Sequence, residues 1–151
     1  APLVLDADSL TVAAAQFSDL VKARTAETIA TPHAGEFATL MSEDVHHRLE
    51  GSRKLAGQSG CNILLKGADT VIVSPDGKAS ISAQTCPWLS TAGTGDVLAG
   101  IIASRLATGI SGYMAACEGQ WLHSRAGQLA GPAFTPEMLI DQLPASLQEC
   151  L

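Results

Sequence analysis

Thr91-Ala-Gly-Thr-Gly-Asp96 runs straight into the apolar segment Val97-Leu-Ala-Gly-Ile-Ile-Ala-Ser-Arg-Leu-Ala107. The pattern is a glycine-rich turn feeding the N-terminus of a buried helix. The first backbone N–H groups of a helix lack intrahelical partners, and the helix dipole adds positive potential there, so such a turn suits an anion such as phosphate. Gly93 and Gly95, with Thr94 between them, let the main chain approach a ligand without a Cβ in the way. Asp96 falls in the first helical turn, beside the anion. A carboxylate does not bind phosphate directly. The chemistry open to it is to take a proton from a hydroxyl about to accept a phosphoryl group. The same residues also fit an ordinary helix start with an acid in its first turn, because short glycine motifs recur by chance.

Outward from this turn the chain alternates strands and helices. Leu3-Val-Leu5 reads as a buried strand ended by Asp6-Ala-Asp8, and Ser9 to Phe17 carries apolar residues at helical spacing. Thr28-Ile-Ala-Thr31 is a second strand, stopped by Pro32. A helix follows over Gly35–Met41, and another, capped by Ser42 or Asp44, runs to Ser59 and stops at Gly60. Asn62–Lys66 is a third strand. Thr70–Ser74 and Lys78–Ser82 flank Pro75-Asp-Gly77, a hairpin turn. Helices are predicted over Thr94–Thr108, Tyr113–Gly131 and after Thr135-Pro136, with Thr135 as N-cap. This order predicts an α/β layer fold with a mostly parallel sheet, one hairpin and a helical C-terminal region. In such sheets ligands collect at the carboxyl ends of the strands. Asp6, Asp8, His33 and Lys66 all lie at such ends, so one shared rim is expected.

Composition narrows the class. The 151 residues suffice for one domain with a real core. A net charge of -6 leaves no basic stripe for nucleic acid. No apolar run reaches membrane-spanning length and no signal peptide is read, so neither a membrane nor a nucleic acid is expected as partner. Cys61, Cys86, Cys117 and Cys150 form no Cys-x-x-Cys pair, which argues against a zinc or redox motif and for a reduced, cytoplasmic setting. The chain opens on Ala-Pro-Leu-Val-Leu-Asp without an initiator methionine, which raises the expectation of a piece of something longer.

Several residues have two readings each. His33, in Thr31-Pro-His-Ala-Gly-Glu36, can donate a hydrogen bond to a polar substrate or simply tie its own loop. Glu36 suits the dipole of the helix it starts. Lys66, at a strand end before Gly67, can place an ammonium over nucleotide phosphates or sit solvated in a hairpin connection. Asp6 and Asp8, one residue apart, would share a face of a strand and could hold a metal; Asp8 could instead cap the next helix. His46 and His47 point different ways on a helix and make a poor metal pair. His123 reads as a satisfied buried histidine, and Trp88 and Trp121 as packing residues.

Taken in order, Asp-Ala-Asp-Ser-Leu, Thr-Pro-His-x-Gly-Glu-Phe, Leu-Lys-Gly-Ala-x-Thr-Val-Ile, Gly-Thr-Gly-Asp-Val-Leu-Ala-Gly-Ile-Ile and His123-x-x-Ala-Gly127 resemble the ADP- or ATP-dependent NAD(P)H-hydrate dehydratases of the ribokinase-like superfamily. The resemblance runs from Leu3 to about Leu143, with Ala92 where the family usually has another glycine. It implies a ribokinase-like three-layer α/β/α fold, of which residues 1–151 would be the later part, the earlier strands and helices being absent. The activity it implies is that of a metabolite-repair lyase. ADP or ATP, with Mg2+, phosphorylates the hydroxyl of hydrated NADH or NADPH; phosphate then leaves and the reduced nicotinamide is restored. It assigns the general base to Asp96, which also faces the substrate, and the substrate to His33. Nucleotide contacts go to Lys66, Gly67, Ala68, Asp69 and Thr70, and the anion hole to Gly93, Thr94 and Gly95. It also implies a homo-oligomer, or association with the missing N-terminal part. A ribokinase-like kinase for a vitamin precursor such as a hydroxymethylpyrimidine shares the glycine–aspartate motif and stays open, as does a non-catalytic nucleotide-binding fragment.

Overall fold

Leu3–Leu5 (β1), Thr28–Ala30 (β2) and Asn62–Leu65 (β3) pair in parallel. Val71–Val73 (β4) and Ala79–Ile81 (β5) continue the sheet antiparallel, in the order β1-β2-β3-β4-β5. This computed structural model describes residues 1–42, 47–82 and 86–150. The expectation of a mostly parallel sheet therefore holds for its first three strands only. Beyond β3, the short connections leave no room for a crossover helix, so the chain must meander back antiparallel.

Both faces of the sheet are covered, and the two-residue side-chain period sorts the strands between them. Ala30, Ile63, Leu65, Val71 and Val73 point to one face. There they meet Leu10 of α1 (Asp8–Ala13), Phe17 and Val21 of α2 (Phe17–Lys22), Phe37 of α3 (Ala34–Met41) and Leu55 of α4 (Arg48–Ser59). Ile29, Leu64 and Ile72 point to the other. They pack on Leu98, Ile102 and Leu106 of α5 (Thr94–Leu106) and on Ala115 and Ala116 of α6 (Gly112–Ala130). The result is the expected helix–sheet–helix sandwich. Two short helices, α7 (Pro136–Asp141) and α8 (Leu143–Gln148), finish the chain; the Thr135 hydroxyl caps α7 through the Met138 amide.

Three local expectations change. The helix expected over residues 9–17 breaks at Gln16 (φ -126°), where α2 begins and inserts Phe17 and Val21 into the core. The chain thus stays helical as far as Lys22, with Asp19 and Lys22 exposed. Ser42 does not cap α4; it closes α3 in the left-handed conformation (φ 54°), and α4 starts after His47 without a side-chain cap. Asp44 and His46 lie outside the described residues. Gly60 (φ 71°) ends α4 as expected. Cys61 is fully buried in the core, which pushes its thiol up to about 12, so it packs as a small apolar residue.

Candidate active site

The carboxyl ends of β1, β2 and β3 meet the N-terminus of α5 on one rim. After β2, Thr31 continues the ladder to the Leu5 carbonyl at 3.0 Å, and the Lys66 amide reaches the Pro32 carbonyl at 2.8 Å. The chain then turns into α3 through a reciprocal cap. His33 Nδ1 accepts from the Gly35 and Glu36 amides at 3.0 and 3.1 Å, and Glu36 Oε2 accepts from the His33 amide at 2.7 Å. With Nδ1 committed as acceptor, the ring hydrogen belongs on Nε2. The His33 side chain stays 61% exposed, and its Nε2 lies 3.4 Å from Glu36 Oε1. The loop-tying reading of this residue holds.

Lys66 leaves β3 and points across the strand ends. Its ammonium lies 2.7 Å from Asp6 Oδ1 and 4.0 Å from Glu36 Oε2. It also lies before α5: a Cβ added to Gly95 would sit 3.5 Å from Lys66 Nζ and 3.8 Å from Asp6 Oδ2. Asp6, His33, Glu36, Lys66 and Gly95 thus converge. Asp8 does not. Ala7 takes a positive φ (51°), β1 stops at Leu5, and Asp8 becomes an exposed residue in the first turn of α1. The shared-face pairing with Asp6 fails because the strand ends before it, and the cap position falls on Ala7.

The loop Gly67–Thr70 is held from within. Thr70 is buried, and its hydroxyl donates to the Gly67 carbonyl at 2.9 Å. Arg48, which sequence reading overlooked, clamps the loop from α4. Its Nη2 donates to the Leu65 and Lys66 carbonyls, both at 3.1 Å, and its Nε lies 3.1 Å from Asp69 Oδ1. A side chain at Gly67 would collide with this guanidinium, which is a local reason for the glycine.

At α5, Gly93 (φ 87°) supplies the left-handed residue that opens the helix. Ala92 has no such angle, so the departure from the family's usual glycine costs nothing in backbone strain. Gly95 is helical; its value is space, not conformational freedom. The Thr94 hydroxyl bonds back to the Leu89 and Thr91 carbonyls at 2.7 and 2.8 Å, locking the turn. The Gly95 and Asp96 amides have no acceptor among the described residues, which leaves two donors aimed out of the helix. Asp96 is exposed, and its carboxylate makes no hydrogen bond or ion pair among the described residues. Behind the turn, the ring of His123 on α6 meets the Thr94 carbonyl at 2.8 Å, the satisfied buried histidine that was expected. Its burial pulls the pKa down to about 4, so the ring is neutral and Nε2 donates.

Trp88 departs from expectation. It stands in a 3-10 turn, Pro87–Ser90, and is 47% exposed, so it is not a core residue. Its periodicity could not reveal this, because a turn this short has no repeating face. A cleft of about 400 Å3 at the opposite ends of the strands includes Arg24, Glu27, Asn62, Asp76 and Lys78. Its polar groups pair among themselves: Asn62 Nδ2 donates to Glu27 Oε2 at 3.0 Å, and Lys78 meets Asp76 at 2.8 Å. The two amides and the carboxylate that are unpaired among the described residues stand on the α5 rim instead.

The helix–sheet–helix sandwich is the fold of the ribokinase-like class. Ribokinase from Thermotoga maritima shares the fold at a TM-score of 0.65 and 14% identity. The NAD(P)H-hydrate dehydratase family model matches residues 1–149, and the chain belongs to that family. It is 37% identical to the bifunctional NAD(P)H-hydrate repair enzyme of Thermofilum pendens, over 97% of this chain and 30% of that protein. Against the ADP-dependent (S)-NAD(P)H-hydrate dehydratase of Neisseria meningitidis it is 38% identical, over 85% of this chain and 45% of that one. The ADP/ATP-dependent NAD(P)H-hydrate dehydratase of Bacillus subtilis, co-crystallised with ATP and Mg2+, superposes at a TM-score of 0.83 with 28% identity. That match covers 98% of this chain and 55% of the Bacillus chain. The chain therefore spans about a third to a half of the length of these relatives.

Proposed function

We propose that this chain supplies the phosphate cradle and the general base for ADP- or ATP-dependent dehydration of hydrated NADH or NADPH. The observation that carries the reading is the mouth of α5. Two amide donors without acceptors among the described residues, at Gly95 and Asp96, stand on the same helical turn as a carboxylate without a partner among them. The donors suit the transferring phosphoryl group and the carboxylate suits the hydroxyl that attacks it. Asp96 takes the hydroxyl proton as the new oxygen–phosphorus bond forms and the terminal phosphoanhydride bond of the nucleotide breaks, releasing ADP from ATP or AMP from ADP. Phosphate then leaves with the carbon–oxygen bonding electrons, an adjacent ring carbon gives up a proton, and the ring double bond returns. His33, through Nε2–H, orients the substrate. Lys66 faces the phosphates at Gly95, while Gly67, Ala68, Asp69 and Thr70 form the loop beside it; Thr70 shapes that loop rather than reaching outward.

A magnesium ion arriving with the nucleotide would neutralise phosphate charge. Among the described residues no cluster of three metal-ligating side chains exists, so phosphate oxygens and water would furnish most of its coordination. Four free thiols support a cytoplasmic setting. No helix among the described residues is long and apolar enough to cross a membrane. β1 is paired on one side only, and its open edge supports self-association or pairing with a further strand.

The deciding assay supplies chemically hydrated NADH with ADP or ATP and Mg2+. Recovery of the reduced-nicotinamide absorbance with matching release of phosphate supports the reading. A phosphorylated product that accumulates would mark a kinase instead, and nucleotide binding without turnover would mark a non-catalytic fragment.

A further inference from the structure

Resting on that reading, we infer that Asp6 is a positioning residue, acting through Lys66 to hold an ammonium at the mouth of α5 before any ligand arrives. The three strand ends contribute one charged group each: Asp6 after β1, Glu36 after β2 and Lys66 after β3. Asp6 and Glu36 are 13% and 10% exposed at their side chains, and Lys66 is 23% exposed. Asp6 is thus a largely buried carboxylate whose 2.7 Å partner is this lysine. Glu36 is already committed to the His33 amide and stands 4.0 Å from the same ammonium. Lysine carries a flexible four-carbon stem, and an ammonium that must act at one point loses effectiveness if it wanders. Asp6 removes that freedom, and Gly95 leaves the ammonium uncovered toward the cradle.

The charge balance makes the role distinguishable from metal binding. Two carboxylates and one ammonium sum to a single negative charge, so the cluster as a whole repels an anion. Its contribution is placement, not attraction. Neutralising Asp6 should therefore tighten anion docking and slow the chemistry, whereas removing a metal ligand would weaken binding of the magnesium nucleotide.

The test uses Asp6→Asn, Lys66→Met and the double variant, with tripolyphosphate titrated calorimetrically in the absence of metal. Asp6→Asn is expected to bind tripolyphosphate about threefold more tightly, as for the loss of one unit charge a few ångströms away in a water-like medium. Its kcat is expected to fall roughly tenfold to a hundredfold with KM for the nucleotide unchanged or lower. Its magnesium requirement stays that of the parent. In the Lys66→Met background the same substitution costs nothing further, because Asp6 acts only through that lysine. Weaker tripolyphosphate binding, a raised magnesium requirement, or an equal loss of kcat in both backgrounds would each overturn the assignment. Should Asp6→Asn fail to fold, Lys66→Met alone is compared with the double variant. Lys66→Met leaves a largely buried carboxylate unpaired, so the double must be at least as stable, and a less stable double overturns the proposal. If the parent protein shows no dehydration, the dehydratase reading fails, while the tripolyphosphate titrations still decide the placement of Lys66.

Discussion

Acidification from pH 7 to pH 4 should destabilise this fold in part through one ring, that of His123. The side chain is 5% exposed on α6, and Nε2 donates to the carbonyl of Thr94, the first residue of α5. Desolvation holds its pKa at about 4 against an ordinary 6.5; the Thr94 carbonyl partly opposes this and the Lys66 charge adds to it. Above pH 6.5 the ring is neutral whether the chain is folded or unfolded, and no penalty exists. Between 6.5 and 4 the unfolded chain binds a proton that the folded chain refuses, so stability falls as pH falls. Below about 4 the folded ring also titrates and the loss levels off. A displacement of this size corresponds to roughly 3 kcal/mol, at about 1.4 kcal/mol per pH unit. For a chain of this length that lowers Tm by roughly 6–12 °C. Carboxylates also titrate in this range, so the comparison is with His123→Gln, whose amide can donate to the same carbonyl but cannot take the proton. Urea unfolding of both proteins from pH 7 to pH 4 should show the parent losing about 3 kcal/mol more than the variant. Parallel curves would refute the reasoning, since His123 would then not be a buried neutral ring behind the glycine turn.

Asp96→Asn should leave nucleotide affinity largely intact and cost ~10²–10⁴-fold in turnover, because the amide keeps the shape but cannot accept the proton; near-normal phosphate release would contradict it. Gly95→Val should weaken ADP binding by roughly tenfold, because its methyls fill the gap before Lys66 and Asp6; calorimetry showing unchanged affinity in a folded variant would count against it. Gly112→Ala should destabilise by about 0.5–1.5 kcal/mol through the loss of one hydrogen bond. A Cβ there collides with Asn62 Nδ2 and Glu27 Oε2 and forces their 3.0 Å hydrogen bond apart, so a thermal scan with an unshifted midpoint would exclude that clash.

The local elements were legible because each rests on interactions within a few residues. The alternation of Ile63, Leu64 and Leu65 between two faces marks a strand buried on both sides. Thr135 before Pro136, Gly60 after Ser59 and the Pro75-Asp-Gly77 turn fall where the backbone chemistry of those residues requires. The same holds for Gly93, whose left-handed conformation opens α5. The chain could not advertise the break at Gln16, because a helix in two segments keeps nearly the same apolar spacing as one. Nor could it show the exposure of Trp88, whose short turn carries no periodicity.

Sequence alone determined the layers, the glycine turn at the start of α5 and the residues able to do chemistry, because hydrophobic period and backbone preference are local properties. Tertiary structure decided their partners. Lys66 and Asp6 are 60 residues apart, and they meet only because three parallel strands end on one rim. Asp8, two residues from Asp6, is lost to the site because Ala7 turns the chain into α1. Arg48 reaches the Lys66 carbonyl across 18 residues for the same kind of reason. The physical cause is common to all three. A charged side chain carries no record of its partner in its neighbours along the chain; the partner is set by where strand ends and helix starts are brought together, and burial of the two apolar faces dictates that placement.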